Sequence, residues 1–142
     1  MPNHKIVVRY NDGRLVKGCT TNFNPNAPAF TMTSADQASP GQSEVIDVSL
    51  LKAVFFVREF AGNPGRKDRD SFEARQPYAG RRIEVVFKDG EVLIGSASTY
   101  SPIFQGFFVF PADTDSNTLK VFAVNASVRS ARWLDGAQKK SG

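Results

Sequence analysis

Two stretches of this chain match each other: Ile6-Val-Val-Arg-Tyr-Asn-Asp-Gly-Arg-Leu-Val-Lys-Gly18 and Ile83-Glu-Val-Val-Phe-Lys-Asp-Gly-Glu-Val-Leu-Ile-Gly95. They are 77 positions apart, and the same offset places Leu51–Val57 on Val128–Leu134 without a gap. Self-similarity at a fixed period indicates that a chain is built from copies of one structural unit. The sequence therefore predicts two similar units with a connection between them.

Each unit has the pattern of five short β-strands. From Ile6 to Tyr10 apolar residues alternate with residues of the opposite face, as in a half-buried strand. Asp12-Gly13 and Asp89-Gly90 follow the first strands, and Asp-Gly between apolar runs favours a hairpin turn because Gly accepts positive φ. Gly18 and Gly95 lie in the second strands, where a small barrel bends or admits a close backbone. The pattern predicts an all-β fold of small closed barrels, which leave no sheet edges.

These motifs resemble those of the SH3-like and Sm-like barrels. The segment Asp12-Gly-Arg-Leu-Val-Lys-Gly18 is similar to the opening motif of Sm-like proteins, in which an Asp-Gly turn precedes a strand that ends in Gly. The whole chain is also similar to an uncharacterised bacterial family of tandem small barrels, through Lys52–Val57 and Gly62-Asn63. The resemblance implies two tandem five-stranded SH3-like (Sm-like) barrels, in a family associated with PilZ-type signalling proteins and without an established activity.

The repeat predicts how the 142 residues are divided. We expect a first barrel at 1–57, a basic connecting strap at 58–81, a second barrel at 82–135 and a disordered C-terminal tail at 136–142. Units of this size bury a modest fraction of their surface and are marginally stable alone. We therefore expect the barrels to pack on each other or on a second chain.

The composition indicates where the protein works. No run approaches the roughly eighteen consecutive apolar residues of a membrane helix, and the N-terminus lacks the apolar core of a signal peptide. Cys19 is the only cysteine, which excludes an internal disulfide and is typical of a reducing compartment. We expect a cytoplasmic protein that does not associate with membranes.

The basic excess of the chain is concentrated between the repeats. The net charge is +4, and the segment 58–82 holds seven basic and four acidic side chains. Mixed signs of this kind are typical of a solvated strap with local ion pairs. The alternative is an anion or nucleic-acid site, because guanidinium and ammonium groups bind phosphates. Its candidate residues are Arg66, Lys67, Arg69, Arg75, Arg81 and Arg82.

A comparison of the two copies identifies a candidate interaction surface. The second copy carries outward apolar residues where the first has polar ones, namely Val86, Ile94, Phe108 and Phe110 in place of Arg9, Lys17, Thr31 and Thr33. An apolar patch of this size is rarely left in water on a monomer. We expect it to pack on the first barrel, or to bind a protein partner or a second copy of the chain.

The residues that catalysis requires are scarce. His4 is the only histidine and lies in a polar N-terminal stretch, so no histidine is placed to activate Cys19 or to join a metal cluster. Asp12 and Asp89 are explained as turn formers by the Gly that follows each. The sequence has no Gly-rich phosphate loop of the required spacing. We predict a protein that is not an enzyme and that holds no cofactor and no metal.

Three non-catalytic functions follow from these features. The first is an interaction or regulatory module that binds a protein partner, within a signalling pathway. The alternative is binding of RNA or single-stranded DNA by an Sm-like surface, with Phe23, Tyr100 and Phe104 available for stacking, although the Sm-like RNA motifs are missing. The PilZ association also raises cyclic-dinucleotide binding by the strap, but Arg66-x-x-Arg69 is one residue shorter than the PilZ arginine pair.

Overall fold

The computed structural model describes residues 3–35, 41–62, 68–69, 71–72, 78, 80–101 and 103–134. Within them lie ten strands: β1 (His4–Tyr10), β2 (Leu15–Thr20), β3 (Ala29–Ser34), β4 (Ser43–Asp47), β5 (Leu51–Val57), β6 (Arg81–Phe87), β7 (Val92–Ala97), β8 (Gly106–Pro111), β9 (Thr118–Val124) and β10 (Val128–Trp133). The other assigned elements are two 3-10 turns, Val48–Leu50 and Asn125–Ser127. The prediction of an all-β protein is confirmed.

All ten strands belong to one antiparallel sheet in the order β10-β6-β7-β8-β9-β5-β1-β2-β3-β4. The first five strands of the chain form one half of this sheet and the last five form the other. The halves are joined by β5 and β9, with Ala53 opposite Ala123 and Phe55 opposite Val121. This junction makes the backbone hydrogen bonding continuous from one half to the other.

Strand register inside the two halves follows the 77-residue offset of the sequence. Ile6 lies opposite Gly18 in the β1–β2 pair, and Ile83 lies opposite Gly95 in the β6–β7 pair. With the strands of each half numbered one to five along the chain, both halves have the same spatial order: fifth, first, second, third, fourth. The local alternation and the Asp-Gly turns therefore place equivalent residues at equivalent positions.

The predicted closure of each unit into a barrel differs from what the structure shows. The described strands form an open sheet, in which β5 pairs with β1 on one side and with β9 of the other half on the second side. Because β5 uses both edges in this way, it does not close onto β4. Consequently β4 and β10 lie at the two ends of the sheet, each with one partner strand among the described residues.

Two apolar clusters form the core, and each contains side chains from both halves. The cluster of the first half includes Phe122 and Val124 of β9, and the cluster of the second half includes Ala53 of β5. Their inclusion follows from the β5–β9 junction, which places these strands side by side. The alternation predicted for the first strands is confirmed, because every second residue from Ile6 in β1 and from Ile83 in β6 is buried and the residues between them are not.

The strap between the halves is described only in part, and several hydrogen bonds tie its described residues to the second half, two of them near its middle. Asp68 accepts a hydrogen bond from the Ser116 hydroxyl at 2.8 Å, and the Arg69 backbone N–H donates to Asp113 Oδ2 at 2.9 Å. The predicted limits of the strap and the two barrels stay predictions. The predicted disordered tail at 136–142 lies outside the described residues.

Candidate functional site

An apolar cleft of about 410 Å³ opens between the second half and the β2–β3 connection of the first. Half of its ten described lining residues are aromatic: Phe104, Phe107, Phe108, Phe110 and Phe122. The other lining residues are Pro25, Asn26, Ser98, Thr99 and Gly106. None of these described lining residues is charged. The cleft therefore offers aromatic contact area and a few neutral hydrogen-bonding groups.

Hydrogen bonds to the first half and within the second half hold one wall of this cleft in place. Gln105 Nε2 donates to the carbonyl oxygens of Pro25 and Ala27, at 2.7 Å each. From the other side Asn125 Nδ2 donates to the Phe104 carbonyl oxygen at 2.7 Å, and the Asn125 N–H donates to the Gln105 carbonyl oxygen at 2.8 Å. Hydrogen bonds from side chains can fix a loop, such as the one that contains Phe104 and Gln105, where strand pairing does not. The wall is thus positioned before any ligand arrives.

Two of the aromatic side chains that line the cleft are exposed: Phe104 is 49% exposed and Phe110 is 39% exposed. Ile103, the chain neighbour of Phe104, is 84% exposed and is not part of the lining. The 77-residue offset places polar or small residues at the matching positions of the first half, namely Asn26, Ala27 and Thr33. The exposed aromatic side chains of the cleft therefore come from the second half alone, and the first half supplies natural replacement residues for testing them.

The four apolar residues predicted to bind a partner take different positions. Phe108 and Phe110 line the aromatic cleft, and Phe108 also packs inward against Phe122 with ring centres 5.2 Å apart. Ile94 lines a separate cleft beneath the strap, and Val86 is half-buried on β6. Phe108 therefore packs against the first-half core, as the first of the two expectations for this patch stated. The binding role of the four residues stays a prediction.

The basic residues predicted to gather around an anion contact different groups. The Arg69 guanidinium lies 3.8 Å from Asp113, whose carboxylate is buried and also accepts from the Arg69 N–H. The Arg81 guanidinium lies 4.6 Å from the centre of the Trp133 ring, and Arg82 is half-buried. Their convergence on one anion stays a prediction. The remaining candidates lie outside the described residues: Arg66, Lys67 and Arg75.

Two other sequence motifs have structural roles. Phe23, a candidate for base stacking, packs among aromatic side chains of the first-half core, with its ring centre 5.0 Å from that of Phe30. Tyr100 packs on Phe107 at 4.8 Å. In the Asp47-Val-Ser49 triplet, Asp47 Oδ1 accepts from the Ser49 N–H at 3.0 Å. Asp47 therefore caps the 3-10 turn Val48–Leu50, whereas in the matching triplet Asn125-Ala-Ser127 the Asn125 amide donates to the carbonyl oxygens of Ser101 and Phe104.

A buried lysine links the two halves and was not anticipated from the sequence. Lys52 on β5 is 5% exposed, and its ammonium pairs with Asp89 Oδ2 at 2.7 Å and with Glu91. It also lies 4.9 Å from the centre of the Phe87 ring. A buried charge is tolerated only with partners. The cue was a lysine inside the otherwise apolar run Leu51–Val57, which required carboxylates from elsewhere in the chain.

This ion pair predicts how stability depends on pH. The hydrogen bond from Lys52 holds the pKa of Asp89 below its usual range, and the Glu91 N–H adds to the effect. A lowered carboxylate pKa contributes stability above the unfolded-state value of about 4, and the contribution is lost as the pH falls through the folded-state value. The free energy of unfolding of the wild type should therefore exceed that of the variant Lys52→Met by more at pH 7 than at pH 3.

Urea unfolding of both proteins at the two pH values measures this difference. Lys17→Met is the matched control, because the Lys17 ammonium binds the Phe60 carbonyl oxygen at 2.7 Å and no carboxylate in the described structure. Its stability relative to the wild type should change little between the two pH values. A pH dependence of Lys52→Met equal to that of the wild type would contradict the role of the ion pair.

The described part of the chain holds no group of three metal-ligating side chains and no helix long and apolar enough to span a membrane. The fold and the cleft define a class: all-β proteins with one continuous ten-stranded sheet and an uncharged aromatic cleft between its halves. The chain belongs to DUF6982, a family of unknown function whose model matches residues 2–135. No curated protein and no solved structure matches it.

Proposed function

We propose that this protein is a non-catalytic interaction module, made of two tandem SH3-like units, that binds an extended apolar segment of a partner protein in the aromatic cleft. The observation that carries the proposal is the pair of exposed aromatic rings that line the cleft, Phe104 and Phe110, with the Phe104 carbonyl oxygen held by Asn125 and the adjoining Gln105 bonded to the first half. Rigid, exposed aromatic side chains lose little entropy on binding and are enriched among residues that dominate protein interfaces.

The chemistry of the cleft favours an extended peptide as its occupant. Proline-rich and other extended segments dock in grooves lined by aromatic rings, because they are already straight and lose little entropy. The Phe104 and Phe110 rings supply such a surface, and Asn26, Ser98 and Thr99 supply neutral groups for the carbonyl and N–H groups of a peptide. A bound segment would contact both halves of the sheet.

Nucleic-acid binding has less support. Phosphate contacts dominate the affinity for nucleic acid, and they require exposed basic groups beside the stacking surface. The described lining of the aromatic cleft is itself uncharged, and the basic groups beside it are Lys120, 4.6 Å from the centre of the Phe108 ring, and Arg129, which lines the neighbouring cavity with Phe104. Two of the predicted nucleic-acid residues are engaged within the protein: Phe23 is packed in the core, and Arg69 lies against the buried Asp113 carboxylate. The same contact of Arg69 argues against cyclic-dinucleotide recognition by the strap.

Selection of a displayed library of random linear peptides on the purified protein tests the proposal. We expect apolar, proline-containing peptides to be enriched. In calorimetry, Phe104→Ala and Phe110→Thr should bind the selected peptides about tenfold more weakly or worse, which is the size of effect that interface anchors show. Both replacements are the residues of the first half at the matching positions.

Leu119→Ala is the control, because Leu119 is 45% exposed and lies outside the cleft lining. It should bind like the wild type. Failure to enrich any peptide, or equal binding by the Phe104 and Phe110 variants, would overturn the proposal. Anisotropy of labelled single-stranded RNA and duplex DNA at two salt concentrations completes the test: saturable, salt-sensitive binding without peptide binding would assign a nucleic-acid function instead.

A further inference from the structure

The two ends of the sheet are formed by strands that correspond to those of its central junction. At the centre, the fifth strand of the first half (β5) pairs with the fourth strand of the second half (β9). At the ends lie the fourth strand of the first half (β4) and the fifth strand of the second (β10), each with an unpaired edge in the described structure. The pairing that joins the halves inside one chain is therefore available between two chains.

Matching registers give the free edges the same hydrogen-bonding geometry as the junction. β4 pairs with β3 in the register that β9 has with β8, offset by 77 residues. β10 pairs with β6 in the register that β5 has with β1, with an irregularity at the matching place. Because the inner edge of each pair matches, the outer edges present their N–H and C=O groups at matching positions.

Transferring the junction register to the free edges predicts which residues would meet. The pairs Ala53–Ala123, Val54–Phe122, Phe55–Val121 and Phe56–Lys120 become Ser130–Ile46, Ala131–Val45, Arg132–Glu44 and Trp133–Ser43. Extending the ladder by one residue places Arg129 opposite Asp47. Two arginines on one edge thus face two carboxylates on the other.

The charges select this pairing over the alternatives. Directly opposed unlike charges stabilise a strand pair and like charges destabilise it. Pairing β4 with β4, or β10 with β10, would bring like-charged edges together. The Arg132 guanidinium contacts Glu84 within its own chain at 2.7 Å, but the side chain is 68% exposed and is accessible to a second carboxylate.

The residues of the edge strand β4 are less buried than the matching residues of the junction strand β9. On β9, the residues Val121–Val124 are all buried by the junction, whereas the matching stretch of β4 buries Ile46 alone. Val45 is 73% exposed, while its counterpart Phe122 is fully buried. The sequence of β10 is more polar than that of β5, so a pairing here rests on the ladder and on the two charge pairs.

We propose that β10 of one chain pairs antiparallel with β4 of a second copy, in the register Ala131–Val45 and Arg132–Glu44, so that the protein self-associates head to tail. The contact is heterologous and leaves the same two edges free at the ends of each assembly. Assemblies therefore either close into a ring or continue to grow. Because the charge pairs are exposed, association should weaken as salt rises.

Sedimentation velocity over a wide range of protein concentration, at low and high salt, tests the proposal. We expect species above the 15.6 kDa monomer that diminish in high salt. Val45→Lys and Glu44→Lys should each weaken association about tenfold, because they place a cation on an edge that meets arginines. Val92→Lys is the matched control, since Val92 is 52% exposed on the interior strand β7.

A mixing experiment shows whether a variant associates poorly because strand pairing is lost or because the variant is unfolded. Glu44→Lys alone and Arg132→Glu alone should associate poorly, whereas their equimolar mixture should recover association. In the mixture, the native β10 of the first variant meets the native β4 of the second. A monomer at every concentration in low salt would overturn the proposal. So would association that Val45→Lys and Glu44→Lys leave unchanged, or a mixture that associates no better than its components.

Discussion

Replacing Gly95 by alanine should lower the free energy of unfolding by about 3 kcal/mol, at the upper end of the usual cost of overpacking. A Cβ atom at this position would lie 2.2 Å from the Phe110 carbonyl oxygen and 2.8 Å from Val109 Cγ1. The carbonyl belongs to the backbone of β8, which pairs with β7 at this point. Relief of the clash therefore requires the two strands to separate, and the ladder would be lost there.

Urea unfolding of Gly95→Ala measures this cost. Gly18→Ala should behave similarly, because its Cβ would lie 2.4 Å from the Thr33 carbonyl oxygen. Val92→Ala on the same strand as Gly95 is the control, and it should change stability by no more than about 0.5 kcal/mol since Val92 is exposed. Unchanged stability of both glycine variants would contradict the close approach of the second and third strands.

Local features of the sequence anticipated most of this architecture. The alternation in the first strands, the Asp-Gly turns and the two glycines all lie where the sequence predicts, because each depends on residues close together in the chain. Gly18 and Gly95 illustrate this: their mid-strand positions predict either a bend or a close backbone, and the structure shows the close backbone, supplied by Thr33 and Phe110.

The β5–β9 junction could not be derived in the same way, because alternation says which face of a strand is buried but not which strand lies beside it. One cue was present. The first-half strand Leu51–Val57 is almost continuously apolar, as expected of a strand buried on both faces, and six of its seven residues are buried. Its counterpart Val128–Trp133 is polar and has no buried residue, as an edge strand should.

The candidate site was anticipated in fragments. Phe108 and Phe110 emerged from the comparison of the two copies, and Phe104 from its place beside a loop. The sequence predicts Phe107 as a core position and does not single out Phe122, and the structure adds both to the cleft. What joins these residues into one cleft is the contact of Gln105 with the first half. That contact depends on how the halves pack, which no local pattern encodes.

Phe122→Ala should be among the most destabilising substitutions in the protein, at about 4 kcal/mol, because it removes a large side chain that is fully buried. Phe122 lies on β9 of the second half, yet its side chain belongs to the core of the first half. Its ring centre lies 5.1 Å from that of Phe23 and 5.2 Å from that of Phe108. The cavity would therefore weaken both halves together.

Two optical probes can show whether the two halves unfold together or separately. Trp133 is the only tryptophan and reports on the second half, whereas far-UV circular dichroism reports on all ten strands. If the halves are one cooperative unit, the two transitions coincide in the wild type and move together in Phe122→Ala. Leu119→Ala on the same strand, where the side chain is 45% exposed, should leave the midpoints of both transitions unchanged. Independently folding barrels would instead give two transitions, and Phe122→Ala would shift them unequally. Coincident shifts would mean that the core of the first half is incomplete without β9, so that neither repeat is the unit that folds.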